Sequence, residues 1–261
     1  MNETGAVTAA KAKPTFNRNV GAAIARDVTL LARLHDREVD AELLQQLRVE
    51  APETWFAMRL SGPAFEEACR LMTKALSADD EENEASLDEL AADFAAIYLT
   101  HGYRVSPNES VWRDEEGLER QGPMFSVRAW YKHHGVTAPD WRIRADDHLV
   151  NELQFLALLA ERAADLDQLR EAARFLREHP LVWVKDFGGR VVQRCRTPFY
   201  AAAALMTVTY LDRLAELFAA LLDMDMTPAT LPVAPARAGL PSEPTCADPP
   251  PQNTPALGPS W

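Results

Sequence analysis

A chain of 261 residues suits one domain of ordinary size or two small ones, and its 47% apolar residues are enough for a real core. The net charge of −12 repels phosphate backbones and argues against nucleic-acid binding; it suits a basic peptide, although acidity for solubility is the simpler reading. No run of about 18 uninterrupted apolar residues occurs, so no membrane insertion is expected, and Cys69, Cys195 and Cys246 form no C-x-x-C pair, which fits a reducing cytoplasm.

Residues 1–18 are small and polar and read as a flexible N-terminus; "MNETGAVTAAKAKPTF" has no apolar segment of the signal-peptide kind. From 20 to 36, Ile24, Val28, Leu31 and Leu34 recur at helical spacing. Asp40 can cap a second helix carrying Leu43, Leu44 and Leu47, and Pro63 suits the first position of a third, with Phe65, Ala68, Leu71 and Met72. The acidic run "DDEENEAS", 79–86, reads as a solvated loop. Ser86 and Glu89 form an S-x-x-E capping box before a face of Leu87, Leu90, Ala91, Phe94 and Ile97, with Gly102 as the stop.

Residues 103–123, "YRVSPNESVWRDEEGLERQGP", break the helical pattern and read as a structured loop of the length that is often functional. A short helix from Met124 to His134 should end at Gly135, and the connection "VTAPDWRIRAD" should lead to helices near 147–163, 165–178, 181–195 and 198–223. Pro180 and Pro198 look like first-turn prolines, the latter with Thr197 as cap. From Thr227 onward ten prolines occur in 35 residues with few large apolar groups, so 227–261 is expected to be a disordered tail. With neither strand alternation nor a fixed-period repeat, the expected fold is all-α. It is a single-domain bundle of roughly ten helices over 19–226, with long functional loops and the tail beyond.

The common catalytic fingerprints are missing: there is no G-x-x-x-x-G-K-[ST], no G-x-G-x-x-G and no G-x-S-x-G. Neither is there the E-x-x-H of di-iron bundles. His133 and His134 are adjacent, so on a helix they should point about 100° apart and not share an ion.

One stretch concentrates chemistry: "DDHLVNELQFLALLAER", 146–162, places Asp146, Asp147 and His148 ahead of Glu152 at the start of an apolar helix. A metal or acid–base cluster needs further ligands, and none is evident; a helical metal-dependent hydrolase using Asp147, His148 and Glu152 is the alternative function. A structural reading accounts for the acids, with Asp147 as cap and Asp146 favourable at the positive end of the helix dipole. Leu149, Leu153, Leu156 and Ala160 then form a buried stripe. His148 fits a structural bond to a loop carbonyl, contact with a peptide, or orientation of Asp147.

Four stretches, in order, resemble the TorD/DmsD-type redox-enzyme maturation chaperones. "LLARLHDREVDAELLQQL" looks like the first helical hairpin of that family. "SPNESVWRDEEG" looks like its P-x-E-S-V loop, through Pro107, Glu109, Ser110 and Val111. "DDHLVNELQFL" looks like its P-D-H-x-x-x-E-L-x-F-L helix start, through Asp147, His148, Glu152, Leu153 and Phe155. "FLREHPLVWVKDF" and "RTPFYAAAALM" resemble its closing segment, through His179, Trp183, Phe187, Thr197, Phe199 and Tyr200. The likeness runs from about residue 24 to 222, and departs at Asp146, where many members have proline.

The resemblance implies a cytoplasmic binding protein, not an enzyme. Its partner would be the catalytic subunit of a molybdenum-cofactor oxidoreductase of the dimethyl sulfoxide reductase class. The chaperone would hold its apo form and twin-arginine signal peptide, assist cofactor insertion and proofread before export. A leader with two arginines and an apolar stretch needs carboxylates and an apolar or aromatic groove. The resemblance also implies that the 103–123 loop lies beside the 146–152 helix start. The expected peptide-binding set is therefore Pro107, Glu109, Ser110, Trp112, Asp114, Trp141, Asp146, Asp147, His148 and Glu152. No cofactor or metal is expected. Some members have been linked to guanine nucleotides, but no phosphate-cradling motif supports one here. Monomer and homodimer both remain open.

Overall fold

The computed structural model describes residues 16–78, 84–139 and 142–229. The readings placed on 1–15, 79–83, Trp141 and the proline-rich segment beyond 229 fall outside the described residues. Ten α-helices and no strands are present among the described residues, the all-α architecture that the composition and periodicity predict.

The first three helices start as their sequences dictate. α1, Arg18–Asp36, is capped by Asn17, and α2, Ala41–Arg48, by Asp40, whose carboxylate accepts from the Leu43 amide at 2.8 Å. α3, Pro63–Ala78, opens on its proline. α4, Glu84–Phe94, is already helical two residues before Ser86, so Ser86 lies inside the helix and not at its cap. The next turn widens to a π-helix over Ala95–Leu99, and the chain leaves the helix at Thr100 with His101 left-handed (φ 53°). The stop thus falls one residue before Gly102.

The supposed loop 103–123 contains a one-turn helix, α5, Glu109–Arg113, too short for periodicity to reveal. α6 is Gly122–His133, and Gly135 has the left-handed φ of 70° expected after a helix end. α7, Leu149–Arg162, α8, Leu166–Glu178, α9, Pro180–Arg194, and α10, Pro198–Leu222, complete the bundle.

α7 is the central element: Leu149, Val150, Leu153, Leu156 and Ala160 are completely buried. It packs most extensively on α1, while α10 packs on α3 and α9. Gly21 sets the α1–α7 spacing, because a Cβ there would lie 2.4 Å from the Ala160 carbonyl oxygen. Buried polar residues tie the connections to this core. Asp27 of α1 accepts from the amides of Ala57 (2.6 Å) and Met58 (2.9 Å) and from the Tyr210 hydroxyl (2.8 Å).

Asp93 of α4 does the same for the start of α10. Its carboxylate accepts from the amides of Arg196 (2.9 Å) and Thr197 (2.6 Å), the Thr197 hydroxyl (2.7 Å) and the Tyr103 hydroxyl (2.6 Å). Thr197 occupies the N-cap position but makes no side-chain cap bond, because its hydroxyl is donated to Asp93.

The π turn brings the Tyr98 hydroxyl to 2.5 Å from His35 Nδ1, and His35 Nε2 lies 2.7 Å from the Thr207 hydroxyl oxygen. Thr207 donates its own proton to the Ala203 carbonyl (3.0 Å), so His35 Nε2–H donates to Thr207 and Nδ1 accepts from Tyr98. Burial pushes His35 down to about 3 and keeps it neutral. No helix among the described residues is long and apolar enough to cross a membrane.

Candidate functional site: two helix starts and a cleft

The starts of α5 and α7 meet head to head. Asn108 and His148, their N-cap residues, form an antiparallel bridge. The Glu109 amide donates to the Asp147 carbonyl at 2.9 Å, and the Leu149 amide to the Pro107 carbonyl at 2.8 Å. The juxtaposition implied by the family resemblance is therefore present.

The roles within it differ from the sequence reading. His148, not Asp147, caps α7, its Nδ1 accepting from the Val150 amide at 3.1 Å. That nitrogen must be unprotonated, and burial, reinforced by the charge of Arg144, holds His148 well below the usual histidine range. Asp147 instead serves the other helix: its Oδ2 accepts from the Ser110 amide at 2.8 Å and from the Ser110 hydroxyl. Asp146 pairs with Arg128 at 2.6 Å, and its carbonyl accepts from the Tyr131 hydroxyl at 2.8 Å.

Beneath the bridge lies a fully buried polar cluster. Glu109 is bonded to Arg113 one turn on and to His179 Nδ1 at 2.8 Å. Burial opposes its charge, but His179 and Arg113 outweigh burial and hold Glu109 below the ordinary carboxylate range. His179 Nδ1 is therefore the donor. Glu152 accepts from the Trp183 indole at 3.0 Å; burial, then the charges of Glu109 and Asp147, raise it well above its ordinary range. Asp147 is raised to about 6, chiefly by burial, against the Ser110 bonds that favour its ionised form. Glu152 is thus the protonated carboxyl and Glu109 the ionised one, the division expected of acids crowded into one dry site.

Of the expected peptide-binding residues, Pro107, Glu109, Ser110, Asp146, Asp147, His148 and Glu152 are buried, whereas Trp112 and Asp114 are half-buried. The Trp112 indole donates to the Ser106 carbonyl at 2.8 Å, and the Arg190 guanidinium lies over its ring. Asp114 accepts from the Glu116 and Leu118 amides, both at 3.0 Å, and so shapes the turn that follows α5. Trp141 lies outside the described residues. Sequence reasoning treated His179 and Trp183 as marks of likeness and not as site partners; a periodic helical pattern gives no sign that they reach back to α5 and α7.

The trio Asp147, His148 and Glu152 is not among the groups of described residues whose possible ligand atoms converge. Glu109, Glu152 and His179 do bring possible ligand atoms together. Arg113, Trp183 and the Glu109–His179 hydrogen bond engage these groups, while Glu152 Oε1 is buried without a partner. Adjacent His133 and His134 do converge, with Glu171. Adjacent positions do not keep the two rings apart, because the side chains themselves converge, with ring centroids 5.0 Å apart.

Beside the bridge opens a cleft of about 390 Å³, floored by Pro107, Asn108, Ala145 and His148. Leu99 and Ile143 form its apolar rim, 65% and 84% exposed. Two acids and three arginines line it: Asp36 pairs with Arg144 (2.6 Å), Glu119 lies 3.2 Å from the His101 imidazole, and Arg37 and Arg120 complete the charged lining. Asn108 Oδ1, at the floor, has no hydrogen-bond partner. The adjoining segment 114–119 adds the exposed Glu115, Glu116 and Leu118.

The site is thus a buried polar cluster under two joined helix starts, beside an open cleft that carries both acids and arginines. Comparison with known proteins defines it further. The family model described as nitrate reductase delta subunit matches residues 61–188. The chaperone protein TorD of Vibrio cholerae serotype O1 (El Tor Inaba N16961) is 31% identical over 166 residues, 59% of this chain and 74% of that protein. TorD of Vibrio vulnificus YJ016 is 27% identical over 188 residues, 69% and 87% of the two chains. TorD of Shewanella loihica PV-4 is 26% identical over 202 residues, 75% and 93%. The chain belongs to the TorD chaperone family, and is a chaperone and not an enzyme.

Proposed function

We propose that the protein is a cytoplasmic maturation chaperone. It binds the apo form and the twin-arginine signal peptide of a molybdenum-cofactor oxidoreductase of the dimethyl sulfoxide reductase class, supports cofactor insertion and proofreads before export. The observation that carries this reading is the cleft beside the Asn108–His148 bridge, with its apolar rim of Leu99 and Ile143 and its carboxylates Asp36 and Glu119. A leader's guanidinium groups would compete with Arg144 and His101 for those two acids, and Asn108 Oδ1 offers a further acceptor. The leader's apolar stretch would follow the rim.

In this reading Trp112 and Asp114 contribute from the surface, and Pro107 and His148 from the cleft floor. Glu109, Ser110, Asp146, Asp147 and Glu152 act from beneath, by fixing the two helix starts. Such binding is partly electrostatic between exposed groups and weakens with salt.

The test is titration of the full chain with a fluorescent twin-arginine leader peptide, beside a twin-lysine control. Glu119→Gln and Ile143→Ser should each weaken binding about tenfold, a loss of about 1.4 kcal/mol. Equal affinity of both variants and the parent for the leader would refute the cleft as the leader site.

A further inference from the structure

Away from the cleft, the end of α6 meets α8. His133 of α6, His134 at its cap and Glu171 of α8 each offer a ligand atom, and the three atoms lie within 4.8 Å of one another. We propose that these residues form a binding site for a zinc-class divalent cation that clamps the end of α6 to α8. Two imidazoles and a carboxylate are a set that zinc accepts, with water or a partner's group filling the fourth position.

Two observations carry the assignment. His134 Nε2 is buried yet has no hydrogen-bond partner, and the Glu171 Oε2 that faces it is 3.9 Å away, beyond hydrogen-bond reach. The gap is close to that of an ion bonding at about 2.0–2.2 Å, for which paired ligand atoms stand roughly 3.3 Å apart. Each ligand therefore has only a fraction of an ångström to about an ångström to close, and His133, which is exposed, is free to supply much of it.

The second observation is that the other two ligands are already oriented. The His134 ring lies parallel to Trp130 (2° between planes, centroids 5.9 Å apart) and meets the Phe155 ring edge-on at 5.6 Å. Glu171 Oε1 accepts from Arg174 at 3.1 Å, which leaves Oε2 turned to His134. Arg174 is itself held over the Trp130 ring at 5.2 Å. Support of this kind from surrounding groups is what fixes ligand geometry in metal sites.

The experiment is titration of tag-free full-length protein with Zn²⁺ by calorimetry and with Co²⁺ by visible absorption. One equivalent should bind and raise the unfolding temperature, with the Co²⁺ bands of a low-coordinate nitrogen–oxygen site. His133→Ala and Glu171→Gln should each weaken binding at least tenfold, and the double variant should abolish both the bands and the thermal shift. Circular dichroism confirms that the variants fold, since His133 is exposed and Glu171 half-buried. Failure of the parent to bind one equivalent overturns the site. Binding unchanged in the double variant overturns it equally, because the ion then sits elsewhere.

Discussion

The Asp147 carboxylate belongs by sequence to the start of α7, yet it holds the start of α5, accepting from the Ser110 amide at 2.8 Å and from the Ser110 hydroxyl. We predict that Ser110→Ala lowers stability by about 1–3 kcal/mol, the usual cost of removing a partner from a buried polar group. Asp147 already has one oxygen, Oδ1, without a partner, so the loss falls on a group with little reserve. Denaturant unfolding is the measurement; a midpoint equal to the parent's would show that the hydroxyl contributes nothing.

The buried pair of Glu109 and His179 should be more sensitive still. Truncating His179 to alanine leaves the ionised Glu109 with Arg113 alone in a site closed to water. A loss of about 3–5 kcal/mol is expected when one member of a buried ion-paired set is removed. Glu109→Gln, which discards the charge and keeps the shape, should cost clearly less. Equal losses for the two variants would contradict the assignment of charge to Glu109.

His35 predicts a pH dependence with a definite sign. Its folded-state value, about 3, lies below the unfolded value near 6.5, so between these limits the unfolded chain binds more protons than the folded one. The contribution of His35 is therefore complete above about pH 6.5 and is lost as pH falls toward 3, at up to roughly 1.4 kcal/mol per pH unit. His35→Gln, which retains hydrogen-bonding capacity for Tyr98 and Thr207, should flatten the decline in unfolding free energy between pH 6.5 and 5. An identical slope in parent and variant would refute a neutral buried His35.

Two glycines give a packing test with an internal comparison. A Cβ on Gly21 meets backbone, the Ala160 carbonyl oxygen at 2.4 Å, whereas one on Gly188 meets the end of a side chain, Val208 Cγ2 at 2.6 Å. Gly21→Ala should force α1 from α7 and cost about 1–3 kcal/mol or more, and Gly188→Ala less, because a side chain yields more readily than a helix backbone. Thermal unfolding of the two variants decides the order.

The helices were legible where one face repeats an apolar pattern or a single residue ends the element. Asp40 and Pro63 start α2 and α3, and Leu149 to Ala160 form the buried stripe of α7, because each signal is local. The readings that failed depended on partners distant in sequence. Thr197 does stand at the N-cap of α10, but its hydroxyl and amide go to Asp93, over a hundred residues earlier. Asp147 looked like a cap for its own helix, and nothing nearby indicates that Ser110 claims it. α5 escaped because one turn of helix is shorter than any period. The candidate site was drawn from ordered likeness; the fold shows that most of its acids are buried, and that the acids lining the cleft, Asp36 and Glu119, are ones the likeness did not mark for the site.

The bridge between Asn108 and His148 joins positions separated by all of α5 and all of α6. It makes the intervening stretch an arch whose two feet stand on one stone. If either foot lifts, the amides of Glu109 and Leu149 lose their carbonyl partners together, and such paired exposure is the mark of a unit that opens as a whole. A segment bound in the cleft as proposed above would therefore touch both feet at once, Pro107 beside one and His148 at the other.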